Sequence, residues 1–270
     1  MLPDVALHRP VSLDEAVGML DWDNVGYAGG TELVPAMRLG VRRPDALVDL
    51  KRIPELRGIH VVGGGGGETL AIGALTTHRE LAANAHTLRL VPMLAEVVAH
   101  VGNVRVRSTG TIGGNLAFAE PRSDLATACV ALDASVEVAG PHGVRRTITV
   151  EELVVGPYET TLEPNELLVR LLVPARQRPG ARYWKLQPME RPTLGVAIVP
   201  DRDQAIVVVG AATERPARTM LPSGTDRTAT EVRQFCAGLE LITDVTGSAE
   251  YKRAVLLHHL LGELGKEGAA

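Results

Sequence analysis

Apolar positions along the chain alternate between stretches with a helical period and shorter stretches of strand character. Ser12 followed by Glu15 forms a capping box, and the apolar positions behind it predict a short helix to about Leu20. A strand ending at Tyr27-Ala28, a helix over residues 33–39 closed by Gly40, and a short buried strand over 46–50 come next. Residues 58–74 read as strand, glycine run, strand. The run Gly63 to Gly67 has no Lys-Ser/Thr and no following helix, so it reads as a floppy hairpin tip and not as a phosphate loop. Thr77 and Glu80 make a second capping box, so a helix begins at His78. Residues 88–101 are apolar at helical spacing and predict one buried helix ending at Gly102.

Further on, residues 123–132 read as a helix with small residues on its inner face. Residues 135–139 and 144–150 form a hairpin around Pro141-His142-Gly143, Thr149 and Glu152 form a third capping box, and 166–173 form a strand. The polar, proline-bounded stretch 174–180 marks a domain boundary. Beyond it, residues 182–187, 196–199 and 205–211 read as strands and 230–239 and 248–264 as helices. That order predicts a small α+β domain with a three-stranded antiparallel sheet under a helical layer.

Composition narrows the function classes. A chain of 270 residues with 45% hydrophobic and 22% charged residues has ample material for a core and room for two or three compact units. A formal net charge of −4, with Lys and Arg scattered singly or in pairs, gives no footprint for nucleic acid. No apolar run approaches the ~20 residues that span a bilayer, and no export signal is visible at the N-terminus, so a cytoplasmic location is expected. The only two cysteines are Cys129 and Cys236, whereas an iron-sulfur cluster needs four thiolates, so this chain holds none by itself. Adjacent His258 and His259 point to different faces of a helix and suggest no metal site.

Two glycine pairs carry the candidate chemistry. Thr111-Ile112-Gly113-Gly114-Asn115 has the composition of a corner that turns sharply and presents bare N–H groups to a large anion. Asp124, ten residues beyond Gly114, can start a helix or accept from hydroxyls of a sugar-like chain. Alone, this corner would read as a tight connection between strands. A second pair, Ala28-Gly29-Gly30-Thr31-Glu32-Leu33, lies some eighty residues earlier, before a helix whose N-terminus would favour phosphate. Two such cradles can converge on the halves of one dinucleotide.

In order along the chain come A-G-G-T-E-L, the P-x-x-L-V-D-L that begins at Pro44, I-P-E-L-R-G-I from Ile53, I-G-A-L-T-T from Ile72 and T-I-G-G-N-L from Thr111. T-T-L-E-P-N-E-L-L from Thr160 and G-S-A-E-Y-K-R from Gly247 complete the series. This series resembles the FAD-binding medium subunit of molybdenum hydroxylases, the family of bacterial carbon monoxide dehydrogenases and of the xanthine dehydrogenase flavin domain. The resemblance implies an α+β protein with a two-part FAD-binding fold of the non-Rossmann type, similar to vanillyl-alcohol oxidase (the PCMH fold), in agreement with the missing G-x-G-x-x-G. It places one FAD-binding subdomain at residues 1–55, a second at 56–175 and a C-terminal α+β domain at 180–270.

The resemblance also implies site residues. Ala28, Gly29, Gly30, Thr31, Glu32 and Leu33, with Thr111, Ile112, Gly113, Gly114 and Asn115, would contact the diphosphate and ribityl chain of FAD, and Asp124 would add a further contact. Leu168 would neighbour the ring system. Val101 stands where an apolar side chain could touch the flavin ring, although packing explains it equally well. Tyr183 and Lys185 share a face of one predicted strand. The resemblance implies Tyr183 covering the flavin and Lys185 at its polar edge; the plainer reading is a tyrosine in the domain joint beside a solvated lysine. Glu32 and Phe118 depart from the residues common in bacterial members.

The functional expectation is noncovalent FAD in an electron-transfer subunit. Molybdopterin would sit in a large partner subunit and [2Fe-2S] clusters in a small one, within a dimer of heterotrimers, and FAD would pass electrons to an outside acceptor. Two alternatives stand beside it: a self-contained flavin oxidase, for which the ~90 residues after Gly180 look too few for a substrate-capping domain, and a flavin-free scaffold for partner subunits.

Overall fold

The computed structural model describes residues 4–64, 67–176, 178–188 and 191–265. At the N-terminal end β1 (Ala6–His8), α1 (Leu13–Met19), β2 (Asn24–Tyr27), α2 (Leu33–Arg38) and β3 (Ala46–Asp49) build a small parallel sheet in the order β1-β3-β2. Ser12 caps α1 by accepting from the Glu15 N–H. Glu15 returns its carboxylate to the N–H of Val11, one residue ahead of the cap itself. Leu13, Ala16 and Val17 form the buried face of α1, which fixes where β2 leaves the sheet and turns toward the first glycine pair.

The middle of the chain is organised on a five-stranded antiparallel sheet. The hairpin of β4 (Ile59–Gly64) and β5 (Gly67–Gly73) closes with Gly64 opposite Gly67, and the tip of the glycine run at 65–66 lies outside the described residues. A helical stretch follows: α3 (His78–Ala83), α4 (Ala85–Leu90), α5 (Pro92–Ala99), α6 (Val104–Thr109), α7 (Ile112–Phe118) and α8 (Asp124–Ala131). The Thr77/Glu80 box starts α3 as expected, with both reciprocal bonds formed. The single helix expected over 88–101 is instead two, broken at Val91 (φ −141°, ψ 60°), because Pro92 disfavours helical geometry in the residue before it.

The chain then adds β6 (Ser135–Ala139), β7 (Arg145–Thr149), α9 (Val150–Leu153), the short pair β8 (Val154–Gly156) and β9 (Glu159–Thr160), and β10 (Leu167–Pro174). β10 inserts between β5 and β6 to give the order β4-β5-β10-β6-β7. Arg146 on β7 staples the turn that leads into β10. Its guanidinium donates to both oxygens of Glu166 at 2.8 and 2.6 Å and to the Thr161 carbonyl at 2.8 Å.

The C-terminal sheet has four strands, where the sequence pattern predicts three. β11 (Arg182–Leu186), β12 (Leu194–Asp201), β13 (Gln204–Gly210) and β14 (Ala217–Pro222) are antiparallel in chain order. β14 escapes detection because A-R-T-M-L-P is an edge strand that buries little and ends in proline. Packed on one face of this sheet are α10 (Thr228–Gly238) and α11 (Ala249–Leu264), over Val196, Ile198, Val207 and Val209. The alternate residues Ala197, Val199, Ile206 and Val208 point the other way and join the main core, where α8 lies buried along its whole length. Gly195 and Gly210 make that approach possible, since a Cβ there would stand 2.3 Å from the Tyr183 hydroxyl and 1.9 Å from Thr127 Oγ1.

The Arg146 guanidinium holds the Glu166 carboxyl below its usual pKa, and the Glu163 N–H lowers it further. A depressed carboxylate stabilises the fold above its unfolded pKa of about 4.3 and loses that contribution as pH falls through the lower folded value. Glu166→Gln should therefore cost about 1 kcal/mol near neutrality. The gap to wild type should shrink on acidification, as read by urea unfolding from pH 7 to 3; a pH-independent gap would refute the linkage.

Candidate cofactor site

β2 ends at Tyr27, where Lys51 fixes the ring: its ammonium lies 4.0 Å above the ring centroid and 3.4 Å from the Asp49 carboxylate. The chain then turns through Ala28–Thr31 into α2, with Gly30 at φ +68°. Among the described residues the backbone N–H groups of Gly29, Gly30, Thr31, Glu32 and Leu33 meet no protein acceptor. Five consecutive free donors at one corner form a concavity for anionic oxygen.

The second corner differs from the expected turn. Thr111 is the N-cap of α7, and Ile112, Gly113 and Gly114 form its first turn. Their N–H groups are already used: Ile112 donates to Thr76 O, Gly113 to Ala74 O and Gly114 to Thr111 Oγ1. Three of the donors expected here are thus taken, two by the 74–77 segment that pairs with this turn and one by the Thr111 cap. Gly113 instead permits contact, since a Cβ would stand 2.5 Å from Ala74 Cβ. What the corner offers a ligand is the exposed backbone of Gly114 and the side chain of Asn115, whose Oδ1 accepts from Ser123 at 2.6 Å.

The two corners meet. A Cβ on Gly29 would lie 2.1 Å from the Thr109 carbonyl oxygen and 3.0 Å from Gly110 Cα, so only glycine allows the backbones this close. Around the meeting point runs a cleft of about 660 Å³, in the range of ligand sites. It is lined by Ala28, Gly29, Gly30, Thr31, Glu32, Leu33, Val101, Thr111, Gly113, Gly114, Asn115, Asp124 and Leu168. Three expected residues stand outside this lining. Ile112 turns into the core, and Tyr183 and Lys185 stand behind Asp124. Their shared strand face is confirmed: Tyr183 donates to Asp124 Oδ1 at 2.7 Å, and Lys185 Nζ reaches Asp124 Oδ2 at 2.9 Å and the His100 carbonyl at 2.9 Å. Burial, and then the neighbouring Asp124 charge, raises the Tyr183 pKa well above its ordinary value.

Several lining residues have no mark in the sequence pattern. Glu120, 7% exposed, accepts from Arg122, from the Tyr158 hydroxyl at 2.9 Å and from Arg191 at 2.6 Å. Arg191 also grips Glu32 at 2.9 and 3.1 Å, tying the C-terminal part of the chain to the first corner. Phe118, noted as a departure, packs edge-on against Tyr158 at 5.5 Å. His78 read only as a helix start, yet it lines the cleft at 1% exposure and its Nδ1 has no partner. An acid within A-E-P-R-S-D was the one available hint for Glu120; nothing local marks Arg191 or His78.

Fold and site together define a dinucleotide-binding α+β protein, and the relatives narrow this further. Residues 3–176 match the family of FAD binding domains in molybdopterin dehydrogenase, and the chain belongs to that family. It is 39% identical over 189 residues to the carbon monoxide dehydrogenase medium chain of Hydrogenophaga pseudoflava, a match that covers 68% of this chain and 64% of that one. It is 27% identical over 286 residues to the nicotine 6-hydroxylase medium subunit of Paenarthrobacter nicotinovorans, covering 99% of each. A solved carbon monoxide dehydrogenase from H. pseudoflava, lacking the Mo-pyranopterin moiety of its cofactor, superposes with a TM-score of 0.89 at 30% identity over all of both chains.

The residues fit the flavin dinucleotide. Gly29 to Leu33, whose N–H groups meet no protein acceptor, line the cleft; four of its carboxylates, Glu32, Glu120, Asp124 and Glu166, are held by Arg191, Arg122, Lys185 and Arg146, and the fifth, Asp21, accepts from the N–H groups of Asp23 and Asn24. Among the described residues no helix is long and apolar enough to cross a membrane, and no cluster of His, Cys, Asp and Glu could hold a metal.

Burial, then the charge of Arg107, lowers the His78 pKa to about 4. The unfolded chain binds a proton near pH 6.5 while the folded chain refuses it until about pH 4, so stability should fall as pH drops through that window, by roughly 3 kcal/mol. His78→Gln removes this contribution. Denaturant titrations at pH 7, 5.5 and 4 should show a shallower decline for the variant; parallel declines would exclude the assignment.

Proposed function

We propose that the chain is the FAD-carrying medium subunit of a heteromeric molybdenum hydroxylase, with electrons arriving from iron-sulfur clusters of a small subunit and leaving to an outside acceptor. The observation that carries this reading is the meeting of Gly29 with Thr109 and Gly110 beside five unused N–H donors. When bound, FAD supplies reversible two-electron chemistry. Gly29 to Leu33 would bind its diphosphate, with Gly114 and Asn115 on the ribityl side. Val101 and Leu168 would exclude water from the ring, and Asp124, oriented by Tyr183 and Lys185, would accept from a hydroxyl of the cofactor. Lys185 thus acts through Asp124 and not by touching the ring.

Noncovalent attachment is favoured by both thiols. Cys129 and Cys236 are buried, burial raises the pKa of each, and neither lines the cleft. We read residues 1–55 and 56–175 as the two flavin-binding halves and 180–270 as the third unit, with the molybdopterin and iron-sulfur centres in large and small partners. Assembly as a dimer of heterotrimers in the cytoplasm belongs to the same reading. Its support is the similarity to medium chains of carbon monoxide dehydrogenase and nicotine 6-hydroxylase.

Titration of the purified chain with FAD tests the reading. Gly29→Ala should weaken binding by about 100-fold or more, since the added carbon meets backbone and cannot be accommodated by a rotamer change. Gly18→Ala, where a Cβ meets nothing within 4 Å, should leave it unchanged. Wild-type affinity in Gly29→Ala would remove the diphosphate assignment.

A further inference from the structure

The corner of free donors carries a carboxylate of its own. Glu32 stands at the start of α2, where a side-chain oxygen ordinarily turns back onto unused N–H groups, yet its side chain makes no such bond. The carboxylate goes instead to Arg191, which donates to Oε1 at 3.1 Å and to Oε2 at 2.9 Å. Among the described residues the Glu32 side chain has no other partner. The other arm of the same guanidinium reaches Glu120 at 2.6 Å, and all three residues line the cleft.

The two carboxylates depend on Arg191 to different degrees. Glu120 is also held by Arg122 at 3.3 Å and by the Tyr158 hydroxyl at 2.9 Å. Glu32 would be left with nothing. A carboxylate released beside N–H groups that meet no acceptor either accepts from them or stays near them as a bare negative charge. Both outcomes oppose an incoming phosphate, the first by occupying its donors and the second by like-charge repulsion. Glu32 is thus a competitor built into the corner, and a cation 159 residues away in the chain draws it aside.

The geometry points to Arg191 as a positioning residue that keeps the first corner vacant, by neutralising Glu32 and holding its carboxylate off the donors of residues 29–33. It acts through Glu32 and needs no contact with the ligand. The inference rests on the FAD reading above and names what holds that site open. A plain clasp between two segments would make loss of either partner harmful, whereas a restraint on a competitor gives the two losses opposite signs.

The test uses the full chain titrated with FAD in wild type, Arg191→Ala, Glu32→Ala and the double variant, with thermal unfolding as the check on folding. Arg191→Ala should weaken FAD by about ten-fold or more, the effect of an uncompensated like charge, and high salt should narrow that gap. Glu32→Ala keeps the main-chain N–H assigned to the diphosphate and should tighten FAD by roughly three-fold. The double variant should recover most of what Arg191→Ala loses. Weaker binding in Glu32→Ala, undiminished binding in Arg191→Ala, or a double variant as weak as Arg191→Ala would each overturn the restraint while leaving the flavin reading in place. Should Arg191→Ala fail to fold, the sign of the Glu32→Ala change still decides. A wild-type chain that takes up no FAD would overturn both.

Discussion

The structure turns on one contact between main chains, where Gly29 lies against the Thr109 carbonyl with no room for a side chain. Everything that shapes the cleft is arranged to bring these two backbones together. On one side the small parallel sheet delivers Tyr27 and the turn behind it; on the other, α6 ends at Thr109 and α7 begins at Ile112. The corners are not equivalent. The first keeps its N–H groups free, whereas the second spends those of Ile112 and Gly113 on the 74–77 segment and that of Gly114 on the Thr111 hydroxyl, and so becomes a braced wall. A free corner against a fixed one gives a ligand both donors and a surface that does not yield.

Charge placement follows from the same division. Asp21, Glu32, Glu120, Asp124 and Glu166 line the cleft, and unbalanced negative charge there would repel a diphosphate. All but Asp21 are held by a cation. Arg191 joins Glu32 to Glu120, Arg122 adds to Glu120, Lys185 holds Asp124 and Arg146 holds Glu166. These four carboxylates thereby act as anchors for neighbouring segments, which leaves main-chain dipoles, Asp21 and Arg42 as the remaining sources of field.

Local chemistry made much of this legible in advance. Capping boxes at Thr77 and Thr149 depend on residues three apart, and both form, whereas at Ser12 the Glu15 carboxylate reaches Val11 instead of the cap. The glycine pairs pointed to the cleft because glycine is required wherever backbones touch, although T-I-G-G-N turned out to be a helix start and not a turn. Long-range pairing was illegible. Arg191 meets Glu32 across 159 residues of chain and Tyr183 meets Asp124 across 59, and no local period encodes either. β14 and the break at Val91 were missed for a different reason, since an edge strand and a proline-opened helix both lack a strong apolar rhythm.

The burial of α8 between two sheets has a consequence for how such a chain is subdivided. Proline and polar residues at 174–180 look like a seam, and the family match itself stops at residue 176. Yet Ala197, Val199, Ile206 and Val208 belong to the same apolar mass as α8, and Asp124 at the head of that helix owes both its side-chain partners to β11. A fragment cut at the seam would expose a greasy helix and leave a lone carboxylate at the mouth of the cleft. The C-terminal sheet therefore braces the binding chamber from behind, through β11 and the inward-facing side chains of its central strands.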